Sequence, residues 1–121
     1  MNCLFIVDPE KSNIVSLAGF LNEKNIKFET VSDPMAGIQR AQEQHFDVVV
    51  LDADLKRIRI ERAIRILKGC NPFARIIVQA DSNSRRLETK IRKEQIYYYH
   101  LNSFGIKELA LAVFTALGYN F

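Results

Sequence analysis

The stretch FDVVVLDADL, residues 46–55, decides how this chain folds: a continuous, β-branched apolar run that stops in two carboxylates, Asp52 and Asp54. An apolar run of this length without polar alternation reads as a strand buried on both faces, the behaviour of an interior strand in a parallel sheet. Toward the N-terminus, CLFIV at 3–7 has the same character and closes at Asp8-Pro9, and KFETV at 27–31 makes a second strand. Toward the C-terminus, ARIIVQA at 74–80 and IYYYHL at 96–101 complete a set of five.

Helical periodicity fills the gaps. Pro9 suits a first helical turn, and Ile14, Leu17, Ala18 and Leu21 form a one-sided stripe up to about Lys24. Ser32-Asp33-Pro34 offers a cap and a starting proline for a helix with Met35, Ile38 and Ala41 inward. Ile60, Ala63, Ile64 and Leu67 line a third helix, which Gly69 is placed to end through positive φ. A short polar helix follows the caps at Asp81 to Ser84 and runs to about Gln95, and Ile106, Leu109, Ala112, Val113, Ala116 and Leu117 line the last. Five strands alternating with five helices predict a parallel sheet covered on both faces, because parallel neighbours need crossover connections. In such a sheet a site lies beyond the carboxyl ends of the strands. Those positions are Asp8, Asp52 to Lys56, Gln79 to Ser82, and His100 to Phe104.

The 121 residues, 48% hydrophobic and 26% charged, predict one globular domain over 1–121 that needs no metal or disulfide to hold its core. Cys3 and Cys70, with no CxxC pair, read as buried reduced thiols. No apolar stretch approaches the length of a membrane span, and MNCLFIVDPE lacks a secretory leader, so a cytoplasmic address is expected. Residues 1–55 carry a net charge of −5 and residues 56–121 a net +8, so one side of the molecule is expected to attract anionic partners.

The strand-end residues resemble those of a response-regulator receiver domain of bacterial two-component signalling. The resemblance covers the chain and rests on IVDPEKS at 6–12, DVVVLDADL at 47–55 and FGIKEL at 104–109. It implies an α/β, flavodoxin-like three-layer sandwich: a five-stranded parallel sheet of order 2-1-3-4-5 with five helices. It also implies phosphorelay chemistry, in which a carboxylate accepts a phosphoryl group from a kinase histidine. Two acids and the acceptor hold Mg²⁺, a Lys grips the phosphoryl oxygens, and a Thr or Ser senses them.

Carried over residue by residue, Asp52 matches the phosphoacceptor and Asp8 one of the acid pair, but most other positions differ. Pro9 stands at the second acid, Gln79 at the hydroxyl, Asn102 at the Lys, and Lys56 at the proline after the acceptor loop. The expectation is therefore an atypical receiver, a pseudo-receiver with a degenerate acidic pocket of Asp8, Asp52, Asp54 and Lys56. Like charges at close range need a neutralising cation. Lys56 folding back over Asp52 is the internal candidate, with Mg²⁺ on Asp8 and Asp52, helped by Asp54, as the alternative. No cofactor and no enzymatic activity are expected, and Asp52 is then a strand-end carboxylate that bonds loop amides. The contrasting reading keeps Asp52 as a working phosphoacceptor with Mg²⁺.

Receivers signal through the surface of the fourth helix, fifth strand and fifth helix. Tyr99 matches the switch aromatic there, and alternation along Tyr97, Tyr98 and Tyr99 puts at least one ring in the core with its hydroxyl reaching a loop. Arg85, Arg86, Lys90 and Lys93 fall on or near this surface. A protein partner is implied, a histidine kinase or a fused effector domain, with a homodimer as a further arrangement. Nucleic acid is the rival, supported by basic residues from Lys56 to Arg65 but by no recognition motif. His45 and His100 lack a nucleophile at catalytic spacing, and no Gly-rich loop follows the first strand, so neither an independent enzyme nor a nucleotide site is indicated.

Overall fold

The computed structural model describes residues 2–8 and 10–119; Pro9, expected to open the first helix, lies outside them. Strands β1 (Asn2–Ile6), β2 (Lys27–Val31), β3 (Val48–Asp52), β4 (Arg75–Ala80) and β5 (Tyr98–Leu101) alternate with helices α1 (Ser12–Glu23), α2 (Pro34–Glu43), α3 (Ile60–Cys70), α4 (Arg85–Arg92) and α5 (Ile106–Ala116). All strand pairs are parallel and the order is β2-β1-β3-β4-β5. This is the flavodoxin-like arrangement. It brings every strand's carboxyl end to one edge, where the strand order reverses between β1 and β3.

Alternation along the strands divides the interior in two. Cys3, Phe5, Val48, Val50 and Ile77 pack with Leu17, Leu109 and Val113 under α1 and α5. Leu4, Ile6, Val49, Leu51, Ile76 and Val78 pack with Ile38, Ile64, Leu67 and Ile91 under α2, α3 and α4. The β3 run is buried throughout, which is why it reads as unbroken hydrophobic sequence. A Cβ on Gly37 would stand 2.6 Å from the Ile6 side chain, so the glycine is what lets α2 lie close on β1. Arg40 then clamps α2 to β2 through both Glu29 carboxylate oxygens, at 2.6 and 2.9 Å.

Four sequence expectations need correction. Met35 is 49% exposed, and Pro34, Gly37 and Ile38 form the inward face of α2 instead. Gly69 does not end its helix by positive φ, since α3 continues to Cys70 and passes into extended backbone at Asn71. Cys3 is buried and Cys70 only half-buried, both as free thiols. Helix α4 stops at Arg92, because Gln95 turns left-handed at φ 59 and Lys68 takes up the carbonyl oxygens of Glu94 and Gln95. Of the offered caps, Ser84 is the one used, accepting from the Leu87 amide at 3.3 Å.

Candidate functional site

In the β3–β4 register Asp52 is paired with Gln79, so their side chains rise from one edge of the sheet on the α1 and α5 side. Gln79 is 1% exposed and donates through Nε2 to Asp52 Oδ1 at 2.7 Å. Its Oε1 accepts from Asn13 Nδ2 at 2.9 Å, and the same nitrogen donates to Asn102 Oδ1 at 3.2 Å. Asn102 Nδ2 donates to Asp81 Oδ1 at 2.6 Å, and Lys11 Nζ donates to Asp81 Oδ2 at 3.1 Å. Lys11 Nζ also stands 3.5 Å from Asp52 Oδ1, which closes the circuit. Six side chains from the start of α1 and the ends of β3, β4 and β5 thus satisfy one another in a ring.

Charge is distributed unevenly around it. Burial raises the Asp52 pKa and Asp54 adds to the rise; the Gln79 amide, the Lys11 ammonium and a backbone hydrogen bond from Asp8 offset it only in part. At Lys11 burial works against the charge, but the Asp81 hydrogen bond and the fields of Asp52, Asp81 and Asp54 outweigh it and raise the pKa. Asp81 is lowered, first by the Asn102 amide and then by Lys11. Asp52 is therefore the member held least comfortably as an anion.

The cation beside Asp52 is Lys11, not the expected Lys56. Lys56 is exposed and lines the wall of a cavity of about 350 Å³ together with Asp8, Lys11, Asp52 and Asp54. Asp8 is exposed, its Oδ1 accepting the Glu10 amide at 3.0 Å, and Asp54 is exposed as well. Among the described residues no three His, Cys, Asp or Glu side chains converge as metal ligands. Mg²⁺ takes one or two carboxylates and completes its shell with water, so Asp8 and Asp52 would be its holders here, and the Lys11 ammonium 3.5 Å from Asp52 would compete with it.

Around the site, Tyr99 is buried with Arg92 over its ring at 5.6 Å, and among the described residues its hydroxyl has no hydrogen-bond partner, contrary to the expectation that it reaches a loop. Tyr98 packs toward α5 beside His100, and Tyr97 is exposed under Arg75. Arg85, Arg86, Lys90 and Lys93 are all exposed on α4 or at its end. Sequence reasoning missed Lys11, Asn13 and Asp81 as site residues. Lys11 lay within the quoted IVDPEKS and Asp81 among the strand-end positions, but nothing in spacing distinguished them. Asn13 carried no local signal.

Comparison with solved structures places the fold among receiver domains. A CheY-like response regulator receiver from Methanospirillum hungatei JF-1 superimposes with a TM-score of 0.83 at 14% identity, covering 98% of this chain and 94% of its own. The beryllofluoride-activated NtrC4 receiver domain dimer gives 0.83 at 24% identity, with 97% and 96% covered. The receiver domain of the sensor histidine kinase PA1611 from Pseudomonas aeruginosa PAO1, with a magnesium ion in its active-site cleft, gives 0.79 at 17%, with 98% of each chain covered. No protein-family model matches the sequence, and no curated protein matches it. At these identities the likeness establishes the fold. Among the described residues no helix is long and apolar enough to cross a membrane.

Proposed function

We propose that this chain is a cytoplasmic pseudo-receiver of two-component, phosphorelay-type signal transduction: a protein-interaction module whose aspartate site is held shut by its own side chains. The observation that carries this reading is the 2.7 Å bond from Gln79 to Asp52, backed by Lys11 at 3.5 Å. Phosphoryl transfer to a carboxylate requires a free oxygen in line with phosphorus and fixed positive charge around the equatorial oxygens. Asp52 Oδ1 is engaged by an amide and an ammonium, the position of the sensing hydroxyl is filled by that amide, and Asn102 offers no charge. No Mg²⁺ cofactor and no catalytic activity belong to this reading.

Its partner is a protein, a histidine kinase or an effector, docking on a surface that includes α4, β5 and α5. The known receivers of the same fold, one a dimer and one part of a sensor kinase, support such an association, and a second copy of the chain is a further partner of this kind. A second reading is favoured by one contact. Lys11 brings an ammonium to Asp52 although Asn102 cannot, so a phosphoryl group on Asp52 would find a cation to hold it, with Mg²⁺ on Asp8 and Asp52.

Mass spectrometry after incubation with acetyl phosphate and Mg²⁺ separates the two. An unmodified chain supports the closed site; an adduct lost in Asp52→Ala establishes the second reading and overturns the first.

A further inference from the structure

The charge asymmetry of the sequence has a structural counterpart. Between the loop that leads into α3 and the first turns of α4 lies a trough of about 530 Å³. Its floor includes Leu55, Ile58 and Leu87, half-buried aliphatic side chains resting on the core beneath α3 and α4. Its rim carries Arg57, Arg59 and Lys90, all exposed, and among the described residues Glu61 is the one acid in the lining. The cation stripes extend beyond the trough: Arg62 follows Arg59 by one helical turn, and Arg86 and Lys93 flank Lys90. Among the described residues Arg59, Arg62, Arg86, Lys90 and Lys93 have no ion-pair partner, and Arg57 has only Asp33 at 3.8 Å. Arg57 is also held at φ 71, which costs a bulky L residue about 1 kcal/mol or more and commonly marks a functional loop.

An apolar floor between unpaired cations selects its occupant by chemistry. Carboxylates on the rim are attracted and steered, and an aliphatic or aromatic side chain completes the floor. We propose that this trough binds an acidic, amphipathic segment of a partner protein, with its apolar anchor on Leu55, Ile58 and Leu87 and its carboxylates on Arg59 and Lys90. Single-stranded nucleic acid is the poorer match, since it needs stacking platforms, and no aromatic side chain among the described residues lines the trough. The proposal rests on the reading of the chain as an interaction module but not on the state of Asp52. Leu55 lines both the trough and the Asp52 cavity, so the two sites share the loop after β3.

The test is fluorescence anisotropy on the full chain. The probe is a labelled peptide of about fourteen residues, Asp and Glu throughout except for Leu or Phe at i, i+3 and i+7. Saturable binding is expected, weakened about tenfold by Arg59→Glu with Lys90→Glu and several-fold by Leu87→Ser, with circular dichroism unchanged. Lys107→Glu, on the α5 side of the sheet, should leave binding as it is. The proposal is overturned if the peptide does not bind, if the charge reversal has no effect, or if an all-acidic peptide without anchors binds equally well. Tighter binding to duplex DNA or to phosphatidylserine vesicles than to the peptide overturns it too. The acetyl phosphate experiment reads Asp52 separately, so the two conclusions fail independently.

Discussion

Gln79 and Asp52 are register partners on adjacent parallel strands, and the amide of the first is hydrogen-bonded to the carboxylate of the second at 2.7 Å. Strands about 4.8 Å apart leave room for one hydrogen bond between side chains rising from paired positions. A Gln at this register position therefore caps a neighbouring Asp without any distortion, and both its polar atoms are used, because Asn13 serves its carbonyl.

Removing that amide leaves two polar groups short of a partner in a poorly solvated place. Gln79→Ala should destabilise the chain by about 1–3 kcal/mol. Urea denaturation monitored by circular dichroism measures it, and a loss near zero would mean the ring contributes no stability.

Asp52 has a raised pKa, chiefly through burial, so the folded chain takes up its proton more readily than the unfolded one. Stability then falls as pH rises through the window above the ordinary carboxyl pKa, and the anion is a net cost at neutral pH. Asp52→Asn keeps an acceptor for Gln79 and removes the charge, so Tm should rise by about 2–5 °C at pH 7. The gain should shrink as pH falls toward the carboxyl range, where wild-type Asp52 is itself neutral. A gain that is independent of pH would exclude charge as its cause.

If the Lys11 ammonium stands where a metal would compete, about 10 mM Mg²⁺ should leave the wild-type Tm unchanged and raise that of Lys11→Ala by a degree or more. Differential scanning fluorimetry suffices. A wild-type rise that vanishes in Asp52→Ala would show instead that the metal displaces Lys11.

His100 is buried beside Tyr98, its Nδ1 without a partner among the described residues, and burial lowers its pKa, against a smaller opposing pull from Glu108. The unfolded chain binds that proton first, so stability conferred by the neutral ring is present above the ordinary histidine pKa and declines as pH falls below about 6.5. His100→Phe should flatten this acid slope in Tm measured between pH 7 and pH 5. Imidazole resonances of His100 that titrate like those of a free histidine would contradict the premise.

Much of the fold was legible because its signals are local. The unbroken apolar run of β3 announces burial on both faces, KFETV matches β2 residue for residue, and the stripe Ile60, Ala63, Ile64 and Leu67 is buried as its period implies. Where the reading failed, a neighbour from another element decided. Met35 has helical spacing for the core, but the close approach of α2 to Ile6 at Gly37 turns it outward. Helix α4 ends early because Lys68, a residue of α3, binds the carbonyls that follow it.

What the sequence by itself determined was the order and type of the elements, the strand-end address of Asp52, Gln79 and Asn102, and the polar character of that edge, since residue identity and hydrophobic period are written along the chain. Only the tertiary structure decided what those side chains do together. The ring joins residues separated by 66, 70 and 89 positions, so its members meet through strand register and the angle at which α1 leaves the sheet. The choice of Lys11 over Lys56 as the cation at Asp52 is a matter of reach in three dimensions, and spacing along the chain favours neither.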